Sequence, residues 1–131
     1  SYWDGVAARA ALRAGMPVEA RELVEPLLDT QWDDDLAGVY ADCADAADEK
    51  SSAWLQRLES WVERYPQESG PLVVLGRACA RSQLWGKAQA SFELALARGA
   101  GRAARIQLAR LFDATGRGAE ADRQYRAASE S

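Results

Sequence analysis

Leu75-Gly76-Arg77-Ala78-Cys79-Ala80-Arg81-Ser82-Gln83-Leu84-Trp85-Gly86-Lys87-Ala88 is the stretch on which the fold turns. Apolar and small residues recur at three-to-four spacing up to a polar break at Ser82-Gln83. The same spacing then resumes through Ala88, Phe92 and Ala95. This predicts two helices joined by a short turn. Gly76 and Ala88 are small enough to let antiparallel helices approach closely, while Phe92 is large enough to fill the gap toward a following unit.

Outward from this stretch the pattern repeats at offsets of 34, 34 and 33 residues. Ala20, Trp54, Ala88 and Ala121 align, as do Val24, Leu58, Phe92 and Tyr125, and Leu27, Trp61, Ala95 and Ala128. Among the first helices Ala7, Ala41, Leu75 and Leu108 align, then Ala8, Asp42, Gly76 and Ala109. Fixed periods of this size mark arrays in which each unit buries its face on the next. Gly, Pro and Asp clusters cut the chain accordingly, at Gly15 to Pro17, Asp29 to Asp35, Asp48 to Ser52, Tyr65 to Pro71, Ser82 to Gly86, Gly99 to Gly101, and Gly116 to Gly118. About eight helices of 10 to 14 residues fit between them, and no alternating run suggests a strand. Pro17 and Pro71 suit a first helical turn, whereas Pro26 falls inside a predicted helix and is expected to kink or shorten it.

The repeat resembles the tetratricopeptide repeat, most fully in the third unit through Leu72, Leu75, Gly76, Cys79, Ala88, Phe92 and Ala95. The fourth follows with Leu108, Ala109, Phe112, Ala121, Tyr125 and Ala128. The first two are degenerate: Asp42 and Trp54 stand where small residues are usual, so packing in the second unit should deviate. The resemblance implies an all-α, right-handed α-solenoid of about four helix-turn-helix repeats in one domain spanning 1–131, with repeats near 1–34, 35–68, 69–101 and 102–131. Leu75, Gly76, Trp85, Gly86, Ala88, Phe92, Ala109, Ala121 and Tyr125 form the expected repeat-packing signature.

The Leu-Gly-Arg helix followed by Leu84-Trp85-Gly86-Lys87-Ala88, with Trp61-Val62-Glu63-Arg64-Tyr65-Pro66 ahead of Pro71-Leu72, is similar to the HemY family of proteobacterial proteins of haem and porphyrin biosynthesis. The similarity covers most of 50–131 and is looser over 1–49. It implies the carboxy-terminal repeat region of an inner-membrane protein whose amino-terminal membrane segments are absent here, with this domain on the cytoplasmic side. It further implies a scaffold whose partners are tetrapyrrole-pathway enzymes. The chain opens on Ser1 without a leader and reads as an excised piece of a longer protein.

Composition narrows the chemistry. Of 131 residues 48% are hydrophobic, enough for a core, and none is His, which removes the commonest general base and the commonest metal and haem ligand. The longest apolar run, Pro71 to Leu75, is far short of a membrane span. Cys43 and Cys79 form no CxxC or CxxCH motif and read as core residues; no GxGxxG, phosphate loop or nucleophile-base set is present. The expectation is a non-enzyme without cofactor or metal. The net charge of −4 argues against nucleic-acid partners. It divides into −9 over 1–68 and +5 over 69–131.

Candidate sites follow from the register. In such arrays first helices line a groove that takes extended peptides or helices. Arg9, Arg77 and Arg110 occupy equivalent positions there, with Arg13 and Arg81 one turn further on. They could bind partner carboxylates or the propionates of a tetrapyrrole, or simply pair with neighbouring acids such as Asp113. A tetrapyrrole-binding or transfer protein is therefore the alternative to the scaffold. Trp3, Trp32, Trp54, Trp61 and Trp85 read as packing residues, with Trp32 the best candidate for partial exposure and Gly86 relieving the backbone beside Trp85. Asp33-Asp34-Asp35, with Asp29 nearby, reads as helix capping rather than a cation loop. Uncapped array ends at Tyr2, Trp3 and Val6 suggest a possible dimer.

Overall fold

A computed structural model describes residues 2–47 and 52–130. Among them are eight helices and no strand: α1 (Tyr2–Arg13), α2 (Pro17–Thr30), α3 (Asp34–Ala47), α4 (Ser52–Arg64), α5 (Gly70–Arg81), α6 (Trp85–Ala97), α7 (Arg102–Ala114) and α8 (Gly118–Ser129). The predicted cut at Asp48 to Ser52 lies largely outside the described residues. Packing divides the chain into two compact units, Ser1–Tyr65 and Pro66–Ser131.

The two helices of a repeat are joined by one recurring turn in three of the pairs, α1–α2, α5–α6 and α7–α8. The amide of Met16 donates to the carbonyl of Ala11, that of Leu84 to Cys79 and that of Arg117 to Phe112. This wide closing bond needs a left-handed residue just past the helix end, which favours glycine. Gly15 and Gly116 supply it with φ of 78° and 77°, but at the equivalent third turn the residue is Gln83, with φ of 60°. Gly86, the expected site of backbone relief, is not in this region; it sits in the first turn of α6. The relieving position is set by the end of α5, three residues earlier.

In the second unit α5 packs on α6, α6 on α7, and α7 on both α5 and α8. The centre of the α5–α6 crossing is Gly76, over which the ring of Phe92 lies so closely that a β-carbon there would sit 2.3 Å from Cε1. Leu75, Ala88, Ala109 and Ala121 are buried with it, and Phe92 is 1% exposed. Burying a ring of that size stabilises by roughly 1.5–3 kcal/mol. Cys79 is a buried free thiol.

The first unit reaches the same helix-on-helix arrangement by other means. Asp42 is exposed, and α3 meets α4 through aromatic rings: Tyr40 lies 4.8 Å from Trp54 and 4.9 Å from Trp61 between centroids. All three are almost fully buried. Helix α2 is not shortened at Pro26 and runs 14 residues. The carbonyl freed by the missing amide belongs to Glu22, which is exposed and open to water, while buried Val24 and Leu28 hold the helix on its other face. Helix α3 is capped by Asp33, whose carboxylate accepts from the amides of Asp35 at 2.9 Å and Leu36 at 3.1 Å.

Candidate functional site

In the second unit the solvent-facing stripe of α5 is narrow. Val73, Arg77, Ala80 and Arg81 are its partly exposed residues after the first turn, four, three and one apart, on one face. Helix α7, packed on α5, carries Ile106 partly exposed with Arg110 and Asp113 exposed. The Asp113 carboxylate also accepts from the Tyr125 hydroxyl at 3.3 Å. Two first helices therefore place guanidinium groups beside small and branched apolar residues. Arg77 and Arg81 are already engaged with partners.

Arg9 and Arg13 lie in the first unit, both exposed on α1. Arg9 lines a depression of about 300 Å³ with Tyr2, Gly5, Asp33, Asp35 and Leu36. Its surroundings are thus acidic. Cys43, at the equivalent register position, is fully buried. Burial and the neighbouring Asp42 push its thiol up to about 11, which makes it a poor nucleophile at neutral pH.

Three signature positions differ from the packing role expected of them. Trp85 is 37% exposed and Tyr125 41% exposed, and a β-carbon at Gly86 would meet nothing within 4 Å. Trp85 and Gly86 open α6 before its buried stripe of Ala88, Ser91, Phe92 and Ala95 begins, so neither reaches the core. Trp3 is also exposed, in an edge-on pair with Tyr2. Trp32 is partly buried, packing on Trp61 and Tyr65 and donating to Asp34 at 2.8 Å.

Sequence reasoning missed a polar hub in the first unit. Glu25 and Asp29, one turn apart on α2, face α3 and α4. Glu25 accepts from the Tyr40 hydroxyl at 3.0 Å and pairs with Arg57 at 3.1 Å. Asp29 accepts from the Trp61 indole at 2.8 Å and from Arg57 at 3.0 Å. Its carbonyl accepts from Arg64, and that of Leu28 from the Tyr65 hydroxyl. Asp29 therefore ties α2 to α4 rather than capping α3, because it lies within α2 and faces Trp61. Burial and the adjacent Glu25 raise the Tyr40 phenol well above its ordinary value. The spacing of Arg21, Glu25 and Asp29 at successive four-residue steps was the available signal.

Among the described residues no group of His, Cys, Asp or Glu is arranged to hold a metal ion, and no helix is long and apolar enough to cross a membrane. No family model and no curated protein matches the chain. Among solved structures it is similar to TTC0263, a thermophilic TPR protein of Thermus thermophilus, at 25% identity. That match covers 94% of this chain and 69% of the other, with a TM-score of 0.76. It is also similar to MamA of AMB-1, at 21% identity over 95% of this chain and 68% of the other, with a TM-score of 0.61. The eight helices, their recurring turn and these neighbours give the chain an all-α, tetratricopeptide-repeat-like fold.

Proposed function

We propose that the chain is a non-catalytic protein–protein interaction module, its four repeats acting as one scaffold domain, and that the first-helix face of the second unit docks its partner. The observation that carries this reading is the pair of adjoining stripes on α5 and α7, where Arg77, Arg81 and Arg110 flank Val73, Ala80 and Ile106. Such a surface suits an extended or helical segment with carboxylates beside apolar residues, since a guanidinium can clasp a carboxylate with two hydrogen bonds. The resemblance of the 61–88 segment to the HemY family supports the finer reading, in which the partners are enzymes of tetrapyrrole biosynthesis held at the inner membrane.

A pull-down with the purified domain, read by mass spectrometry, tests both levels. The expected result is enrichment of pathway enzymes that Arg110→Glu abolishes. Recovery of no pathway enzyme above background overturns the finer reading. Capture unaffected by Arg110→Glu overturns the assignment of this face.

A further inference from the structure

We infer that the chain associates with further copies of itself head to tail, the open face of α1 in one copy stacking on the α7–α8 pair of the next. The basis is the repeat register together with charge, independent of the docking face proposed above.

Helices α3 and α7 each follow another repeat within their own unit, α3 packing on α1 and α2, and α7 on α5 and α6. In both, the residue aligned with Ala7 is buried, as are those four before and three after it. On α3 these are Ala37, Ala41 and Ala44; on α7 they are Ala104, Leu108 and Leu111. Their equivalents on α1 are Trp3, Ala7 and Ala10, which share one side of the helix and are all exposed, Trp3 by 74%. The buried residues of α1, Gly5 and Ala8, lie on the opposite side. Helix α1 already packs on its own second helix, α2, and on the following first helix, α3. What distinguishes it from α3 and α7 is a preceding repeat, so Trp3, Ala7 and Ala10 form the face by which a first helix joins the unit before it.

The α7–α8 pair presents the matching half. Val24 on α2 and Phe92 on α6, two second helices on which a first helix packs, are buried. Tyr125, their equivalent on α8, is exposed, its hydroxyl donating to Asp113 at 3.3 Å. Exposed Trp and Tyr rings are the usual anchors of protein contacts, and each half carries one. Charge then sets the direction. Helices α1 and α2 together carry five acids and three arginines, net −2, whereas α7 and α8 carry three acids and five arginines, net +2. The division of the whole sequence into −9 and +5 has the same sense. Head-to-tail contact brings opposite charges together, while a like-to-like dimer through α1 or through α8 would oppose equal ones.

The test is analytical ultracentrifugation of the whole chain and of two variants at exposed positions: Ala7→Arg, which blocks the α1 face, and Tyr125→Glu, which blocks the α8 side. The wild-type chain is expected to gain mass with concentration beyond its 14.3 kDa, and each variant alone to stay at the monomer mass. Mixed in equal amounts, the variants should form a dimer and nothing larger, because the intact α8 side of Ala7→Arg meets the intact α1 face of Tyr125→Glu. Circular dichroism checks that each variant keeps its helix content, and Trp3→Arg provides a second block of the α1 face. A wild-type chain that stays monomeric at millimolar concentration overturns the inference. So does self-association of Tyr125→Glu alone, which would mark a like-to-like contact through α1, and so does an equal mixture that stays monomeric with both α1 variants. Because no other protein enters this experiment, its failure leaves the pull-down result standing, and the reverse also holds.

Discussion

A β-carbon at Gly76 would lie 2.3 Å from Cε1 of Phe92. The α5–α6 crossing is therefore set by the absence of a side chain on one helix and the presence of a ring on the other. Phe92 is 1% exposed and has no room to retreat. Gly76→Ala is expected to destabilise the second unit by about 1–3 kcal/mol through overpacking, despite the better helix propensity of alanine. In urea denaturation, Gly76→Ala with Phe92→Leu should lose less than the sum of the single changes, because the smaller side chain makes room for the methyl group. Additive losses would show that the two residues do not share the strain.

Gln83→Gly should stabilise the same unit by about 1 kcal/mol. Gln83 adopts φ of 60° where the equivalent turns use Gly15 and Gly116, and a side chain in the left-handed region costs about that much. Thermal unfolding checks the sign. A lower melting temperature would mean that the Gln83 side chain contributes more than its backbone costs.

Loss of Asp29 strands several donors at once. Asp29→Ala leaves the Trp61 indole without its 2.8 Å acceptor and Arg57 without one of its carboxylates. The expected loss is about 1–3 kcal/mol for an unsatisfied buried donor, confined to the first unit. Asp29→Asn, which keeps an acceptor for Trp61, should lose less. Equal losses for the two variants would show that charge rather than the indole bond dominates.

The first unit should weaken in alkali. The thiol of Cys43 is raised to about 11 and the phenol of Tyr40 higher still, both chiefly by burial. A group whose folded pKa exceeds its unfolded value contributes fully below the unfolded value, and that contribution is lost as pH rises. Stability should therefore fall from about pH 9 for Cys43, and from about pH 10 for Tyr40 as well, at about 1.4 kcal/mol per pH unit for each group. Cys43→Ala and Tyr40→Phe should each flatten the profile of stability against pH, whatever they do to its height.

The scaffold reading expects absorbance titrations with haem and protoporphyrin to be flat, and unchanged in Arg77→Ala and Arg110→Ala. A saturable spectral change lost in those variants would instead favour a tetrapyrrole carrier.

The period of 34 residues and the small-to-large contrast of Gly76 and Phe92 made the second unit legible, because a close helix crossing leaves few residue choices. The aromatic packing of Tyr40, Trp54 and Trp61 was less legible. Large residues can fill a crossing in many ways, and periodicity cannot say which ring meets which. Gln83 was missed because its conformation follows from the turn's position after α5 and not from its residue type, which suggests no left-handed turn. The hub at Glu25 and Asp29 was hidden for a third reason. Its partners Arg57 and Trp61 lie some 30 residues away, and charged residues on an amphipathic helix look the same whether they face water or a neighbour.

That hub also fixes the setting of one helix along another. Two helices joined only by apolar side chains can slip by a turn, about 5.4 Å, and still bury similar surface. On α2, Asp29 meets the side chain of Arg57, the indole of Trp61 and, through its carbonyl, Arg64. A one-turn slip would break every one of these directional bonds together. The residues that blur the repeat in the first half of the sequence thus leave α4 a single frame in which to sit.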